Sequence, residues 1–192
     1  LLSQQALKTP FLSFSSNLFN DAAVAMPTPI GEDIPSQTIS TAMRHGWSWK
    51  IPLTERFGNG YVYSSSFCSA DEAERELREH LGLLDSDTPA RHLKMKVGRV
   101  TKHWNRNCLA VGLSQGFIEP LEATALLFIQ HTATGFVDCF ERGDMGPRAQ
   151  DAYNDRLNQH FEGTRDYIVT HYKANSRTDT DYWRANAHNP KL

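Results

Sequence analysis

Residues 107–125 read NCLAVGLSQGFIEPLEATA. An almost continuously apolar run, NCLAVGL (107–113), meets a glycine-containing loop and then a proline flanked by two carboxylates, Glu119 and Glu122. Continuous apolarity predicts a strand covered on both faces, and the run behind the proline predicts a helix from about Pro120 to Phe140, apolar nearly all round and therefore buried. A strand, a glycine loop and a helix in that order aim the unpaired N–H groups and positive dipole end of the helix into a crevice at the carboxyl edge of a sheet. Such a crevice suits anions or phosphate-bearing cofactors.

Pro120 fits a first helical position, where its absent N–H would have no partner. Glu119 then caps the helix and Glu122 lies in its first turn. Two readings stay open. First-turn acids complement the helix dipole for about 0.3–1 kcal/mol; alternatively, the two carboxylates belong to a reactive site, which requires a partner motif elsewhere.

Working outward, LFNDAAVAM (18–26) predicts a short strand, and PTPIGEDIP (27–35), with three prolines, a surface connection. From Gln37 the texture is β: QTISTAM, then GWSWKIP (46–52), then GYVYSSSF (60–67), with Gly58-Asn59-Gly60 read as turn chemistry between strands. SADEAERELREHLG (69–82) predicts a surface helix with a Ser69 cap, Glu72 completing a capping box and Gly82 as the stop. LKMKVGRV (93–100) alternates like a strand, and a last helix from about Pro147 to Tyr172 places Tyr153, Leu157, Phe161, Ile168 and Tyr172 near one face. NSRTDTDYWRANAHNPKL reads as polar and irregular. At the other end, LLSQQALKTP carries neither a cap nor a strand-starting signal, as expected of a chain that begins mid-protein.

A chain of 192 residues supports one substantial core or part of a larger one, and a net charge of −2 gives no reason to expect nucleic acid or a membrane surface. Lys102 and His103 beside Trp104 are too isolated in neutral surroundings for a nucleic-acid patch. No stretch approaches the roughly 20 apolar residues that span a bilayer, and no signal peptide is legible. Three widely spaced cysteines, Cys68, Cys108 and Cys139, form neither a disulfide framework nor a CxxC site, so a reducing, cytoplasmic compartment is expected. The eight histidines show no i, i+4 pair and no neighbouring carboxylate with ligand spacing, so no metal site is expected and most read as solvated or satisfied. Serines 64–66 lack a nucleophile elbow.

The partner motif is GWSWKIP, in which alternation puts Trp47, Trp49 and Ile51 on one strand face and Ser48 and Lys50 on the other. A tryptophan pair at this spacing also suits plain core packing. Together with GLSQGFIEPLEAT, however, GWSWKIP resembles the signature blocks of the flavin-dependent tryptophan halogenases. FGNGYVYSSSF, KMKVGRVTKHWNRNCLAVGLSQGFIEPLEAT and HYKANSRTDTDYWRAN resemble further parts of the same family in the same order, from about Leu18 onward.

The resemblance implies an α/β, or mixed α+β, FAD-dependent monooxygenase-like flavoprotein fold, here incomplete and with covering helices. It implies an enzyme that uses reduced FAD, oxygen and chloride or bromide to make hypohalous acid, which halogenates an electron-rich aromatic ring such as tryptophan or indole. In the family a lysine guides the halogen and a glutamate assists the ring's attack. By the resemblance that glutamate is Glu122, the backbone at Thr124 and Ala125 after Pro120 holds halide beside the flavin, and Trp47, Trp49, Ile51 and Pro52 wall the flavin compartment. Ala123 and Ala125 stand where many members carry serine and glycine, which bears on substrate orientation and halide access. There is no G-x-G-x-x-G for the FAD pyrophosphate, and the family lysine falls before the chain's start; Lys50 and Lys94 match other parts of the family. The chain is therefore expected to be one partial domain, with 1–113 mainly sheet and 114–192 the halide and flavin-edge junction with its helices, and to be inactive alone. The partners implied are an aromatic small molecule and a separate flavin reductase, with no nucleic acid or membrane, and homodimerisation stays open. A flavin monooxygenase relative that no longer halogenates, and a noncatalytic scaffold, are the alternatives.

Overall fold

The computed structural model describes residues 2–191. In chain order the elements are a short π-type turn (Leu2–Ala6), β1 (Phe11–Ser13), β2 (Ala22–Pro29), β3 (Ile39–Ala42), β4 (Gly46–Pro52), β5 (Arg56–Tyr63), α1 (Ala70–Leu81), β6 (Arg91–Lys94), β7 (Gly98–Val100), β8 (Trp104–Asn105), β9 (Cys108–Leu109), a 3₁₀ turn (Gly112–Ser114), β10 (Gly116–Phe117), a second 3₁₀ turn (Leu121–Ala123), α2 (Thr124–Glu141), α3 (Pro147–Lys173) and α4 (Asp181–Ala187). They form two compact units that interleave along the sequence, one of 2–18, 96–171 and 191, the other of 19–95 and 172–190.

The unit of 19–95 and 172–190 is built on a five-stranded sheet in the order β3-β4-β5-β2-β6, antiparallel throughout. α1 lies over one face, where Ala73 and Leu77 join Val24, Met26, Tyr61, Tyr63 and Cys68 in a core. Its predicted caps are all present. Ser69 Oγ accepts from the Glu72 N–H at 3.3 Å, Glu72 Oε2 accepts from the Ser69 N–H at 2.9 Å, and Gly82 closes the helix at φ 69°. The Tyr61 hydroxyl accepts from the His45 N–H at 2.9 Å and donates to Glu76 at 3.0 Å.

GWSWKIP is a strand over its whole predicted length, but Gly58-Asn59-Gly60 is not the turn. The hairpin closes at 53–55, with the Leu53 N–H donating to the Arg56 carbonyl at 2.9 Å, and the glycines lie inside β5. The reason is packing. Gly60 faces Trp49 across the ladder, and a Cβ on Gly60 would sit 2.1 Å from the indole. The prolines predicted as a surface connection likewise extend β2: Pro27 pairs with Gly58 and Pro29 with Arg56, beyond the Ala22–Ala25 stretch that pairs with β6, so no second ladder is denied a donor. The tail read as irregular contains α4. The Thr180 hydroxyl caps it, the Trp183 indole N–H donates to the Met43 carbonyl at 2.8 Å, and the Tyr182 hydroxyl donates to Asn20 at 3.0 Å.

In the other unit, β1, β7 and β10 form a small antiparallel sheet and β8–β9 a two-stranded ribbon. The alternation at 93–100 is thus divided, with β6 in one unit and β7 in the other. α3 buries Tyr153, Leu157, Phe161 and Ile168 as predicted. The Tyr153 hydroxyl donates to the Thr132 carbonyl of α2 at 2.7 Å, and Asn154 clasps the Trp104 backbone with two hydrogen bonds of 2.8 Å.

Two expectations for this unit are corrected. NCLAVGL is not a buried strand: β9 is two half-buried residues, after which Gly112, at φ 62°, turns the chain into 3₁₀ geometry closed by Ser114 Oγ on the Val111 backbone. With every strand pair antiparallel among the described residues, the junction is not the carboxyl edge of a parallel sheet. Nor is α2 buried all round. Phe128, Thr132, Gly135 and Cys139 form its buried face, spaced by turns of the helix, whereas Leu126 is 73% and Phe140 66% exposed. High apolarity on every side registered as burial, but only one side meets packing within the unit.

Candidate functional site

The approach to the junction is rigid. β10 pairs with β7, and the ladder is so tight at Gly116 that a Cβ there would meet the Gly98 carbonyl at 2.5 Å. Gln115 is buried and accepts from the Thr132 hydroxyl at 2.9 Å, tying the loop to α2. Ile118 and Glu119 follow, both buried. Glu119 is therefore an interior residue rather than an exposed cap.

The helix does not begin at Pro120. Pro120 (φ −75°, ψ 4°) leads a 3₁₀ turn closed by the Ala123 N–H on the Pro120 carbonyl at 3.0 Å, and the chain then adopts left-handed geometry at two successive residues, Glu122 (φ 62°, ψ 10°) and Ala123 (φ 53°, ψ 29°). Left-handed backbone costs a residue with a Cβ roughly 1–2 kcal/mol, and such residues cluster where function holds them. Glu122 thus sits on a kink before α2, not in its first turn, with its side chain 49% exposed.

α2 starts at Thr124 with no side-chain cap. Its opening N–H groups have no partners within the helix, and left-handed Ala123 followed by right-handed Thr124 is the backbone alternation that forms an anion-binding concavity. The Thr124 hydroxyl oxygen is buried and lacks a hydrogen-bond partner among the described residues. A donor hydroxyl, uncapped N–H groups and a positive helix end in one place fit a halide or another small anion. Beside them, Ala125, Phe117, Ile118, Phe128, Ile129 and Phe161 line a cavity of about 70 Å³, floored by Phe128 stacked on Phe161 at 4.1 Å and 3°.

On the far side of the kink, His171 Nε2 of α3 lies 3.6 Å from Glu122 Oε1. The sequence offered no sign of this neighbour, since the pair lies 49 positions apart with the whole of α2 between and neither position belongs to a spacing motif. It also hid His103, which is 1% exposed with neither ring nitrogen in a well-formed hydrogen bond among the described residues, rather than solvated or satisfied. Burial, then the neighbouring Arg99, lower its pKa to about 4. Trp104 is buried as well, which leaves Lys102 as the exposed residue of Lys102-His103-Trp104.

Trp47, Trp49, Ile51 and Pro52 lie on β4 in the second unit. Trp47 and Trp49 share the face opposite α1, with ring centroids 6.1 Å apart and planes at 59°. Trp47 is buried with its indole N–H unpartnered among the described residues, Trp49 covers Gly60, Ile51 is exposed and Pro52 half-buried at the hairpin end. Lys50 points the other way, its Nζ 4.1 Å from the Phe57 ring centroid. The three cysteines are free. Among the described residues no three metal-ligating side chains cluster, and no helix is long and apolar enough to cross a membrane.

A mixed α and β architecture with a kinked, uncapped helix start and a paired-tryptophan strand defines a recognisable class. The chain belongs to the tryptophan halogenase family, whose profile matches residues 1–191. It is 43% identical over 187 residues to the tryptophan 6-halogenase SttH of Streptomyces toxytricini, covering 96% of this chain and 36% of that protein. It is 42% identical to the 7-chloro-L-tryptophan 6-halogenase KtzR of Kutzneria sp. (strain 744), with the same coverage of each. The crystal structure of SttH superposes with a TM-score of 0.92 over 96% of this chain and 37% of that one. The chain thus spans about a third of the length of the curated relatives it matches.

Proposed function

We propose that this chain contributes the halide-binding junction and part of the flavin-compartment wall of an FAD-dependent halogenase that acts on an electron-rich aromatic ring, tryptophan or an indole-like compound. The observation that carries this reading is the Glu122–Ala123 kink before the uncapped start of α2, with the buried, unpartnered Thr124 hydroxyl beside it, in a member of this family. A scaffold has no need of two consecutive strained residues at the one place where a carboxylate and an anion seat adjoin.

In this reading Thr124 and Ala125, following Pro120, hold chloride or bromide at the head of α2. Oxygen, activated by reduced FAD that a separate reductase would supply, would provide the oxidising equivalents that turn halide into an electrophile. Glu122, on an exposed kink, takes the proton released as the halogen replaces hydrogen on the ring. Trp47 and Trp49, with Ile51 and Pro52, wall the flavin compartment, and the Trp47 indole N–H is an available donor toward a polar ligand. A cytoplasmic setting, expected from the cysteine usage, belongs to the same proposal.

The test is product mass from the protein expressed from its complete gene, supplied with FAD, a flavin reductase, NADH, bromide or chloride, and tryptophan or indole. A gained halogen that falls by about 10²–10⁴ in rate in Glu122→Gln, the usual worth of a positioned general base, supports the assignment. Hydroxylated product, or peroxide alone, replaces it with a monooxygenase-like relative.

A further inference from the structure

We infer that His171 is a positioning residue for Glu122, holding the carboxylate of the kink at a fixed place beside the start of α2. The inference rests on the reading of Glu122 as the proton acceptor and adds to it the residue that aims it.

Glu122 is poorly held by its own element. It belongs to a single 3₁₀ turn, its backbone is left-handed and its side chain is half exposed, with three rotatable bonds. A carboxylate left to rotate in solvent loses rotamer entropy each time it reaches a productive position. His171 differs in every respect. It sits in α3, a helix of 27 residues, and its ring is fixed at two points by the turn behind it. Nδ1 lies 3.0 Å from the Tyr167 carbonyl, and the Tyr167 ring packs edge-on at 4.7 Å and 88°. That orientation leaves Nε2 directed at Glu122 Oε1, 3.6 Å away.

Both ring nitrogens therefore face an acceptor, a backbone carbonyl on one side and a carboxylate on the other. A neutral imidazole can donate at only one of these ends, a doubly protonated one at both. Glu122 and Tyr167 are the titratable groups that contact the ring. An ion pair this open to solvent adds little to stability, typically 0.2–1 kcal/mol, so folding alone does not account for a ring braced at two points to meet a strained residue. The geometry suits fixing the carboxylate.

The test is a cycle of variants in the protein expressed from its complete gene, read by steady-state halogenation with tryptophan or indole. His171→Gln lowers kcat up to about fivefold, the worth of a solvent-open contact between opposite charges, and leaves KM for the aromatic ring unchanged, because the interaction is with Glu122 and not with substrate. His171→Arg, which restores a donating cation, retains most of the rate. In a Glu122→Asp background, whose shortened carboxylate no longer reaches the ring, His171→Gln has no further effect. Melting temperatures of all variants are compared, and His171→Asn replaces His171→Gln if the latter melts lower. Equal losses in the two backgrounds, a loss carried by KM, or His171→Arg no better than His171→Gln overturns the inference while leaving the halogenase reading intact. A complete protein that does not halogenate removes both.

Discussion

At Glu122 and Ala123 the backbone occupies a region that each side chain disfavours, and α2 starts immediately afterwards. The strain has a measurable consequence at Ala123, whose side chain makes no hydrogen bond that could compensate. Glycine there removes a left-handed penalty of roughly 1–2 kcal/mol and adds a chain-entropy cost of roughly 0.5–1 kcal/mol. Ala123→Gly is therefore expected to raise stability by about 0.5–1 kcal/mol, seen as a higher urea midpoint at unchanged slope; a lower midpoint would mean that Ala123 has packing that its conformation does not reveal. The opposite case is Gly60, where the indole of Trp49 occupies the space of a Cβ. Gly60→Ala forces the ring aside and is expected to cost about 1–3 kcal/mol. Shrinking the ring in Trp49→Val should make the alanine nearly neutral, because the two residues compete for one volume. Equal costs of Gly60→Ala with and without Trp49 would show that the glycine serves backbone conformation instead.

Among the elements, α1 illustrates what local chemistry can specify. Its start, stop and capping box lie within 14 consecutive residues, so the sequence carries the whole instruction and the structure follows it. Ser69→Ala removes the acceptor for the Glu72 N–H and should cost about 1 kcal/mol, while Ser69→Asp keeps most of it; thermal midpoints of the two variants distinguish capping from a general intolerance at Ser69. β4 was legible for the same reason, since strict alternation fixed its faces. The signature blocks named the junction and the residues worth following, but not its shape. The kink at Glu122–Ala123 is invisible in a sequence with no glycine or asparagine there to announce positive φ. Gly58-Asn59-Gly60 misled because the same residues serve a turn or a close cross-strand approach, and the choice depends on Trp49, nine or more positions away. α4 went unread although Thr180 and Asp181 are a sound helix start, because the following seven residues are too few to show a period. The His171–Glu122 contact was beyond any local reading, being set by where α3 passes the kink.

For the molecule as a whole, pH sensitivity should be governed by a buried base rather than by surface pairs. His103 titrates near 6.5 in an unfolded chain and at about 4 in the folded one, because burial and then Arg99 oppose its charge, with the Asn158 amide offsetting only part of this. Above pH 6.5 both states are neutral and His103 contributes no pH dependence. Between 6.5 and 4 the unfolded chain binds a proton that the folded chain refuses, so stability falls as pH falls. Below 4 both states are protonated and the loss stops growing. A separation of two to three pH units corresponds to about 3 kcal/mol in total, a large share of a marginal stability of roughly 5–15 kcal/mol. Glu72, Glu74 and Asp179, held below their ordinary values chiefly by hydrogen bonds from Ser69, Arg78 and Arg177 respectively, lose their contributions at lower pH. The two effects are therefore separable along the pH axis. Urea midpoints at pH 7.5 and 4.5 should drop further in the wild-type chain than in His103→Gln, by an amount close to 2–3 kcal/mol after multiplication by the slope. His160, whose pKa is also lowered by burial and by His131, is unchanged in that variant and cancels from the comparison. Equal drops in the two proteins would show that His103 is hydrated, or hydrogen-bonded through water, well enough to carry its charge in the fold.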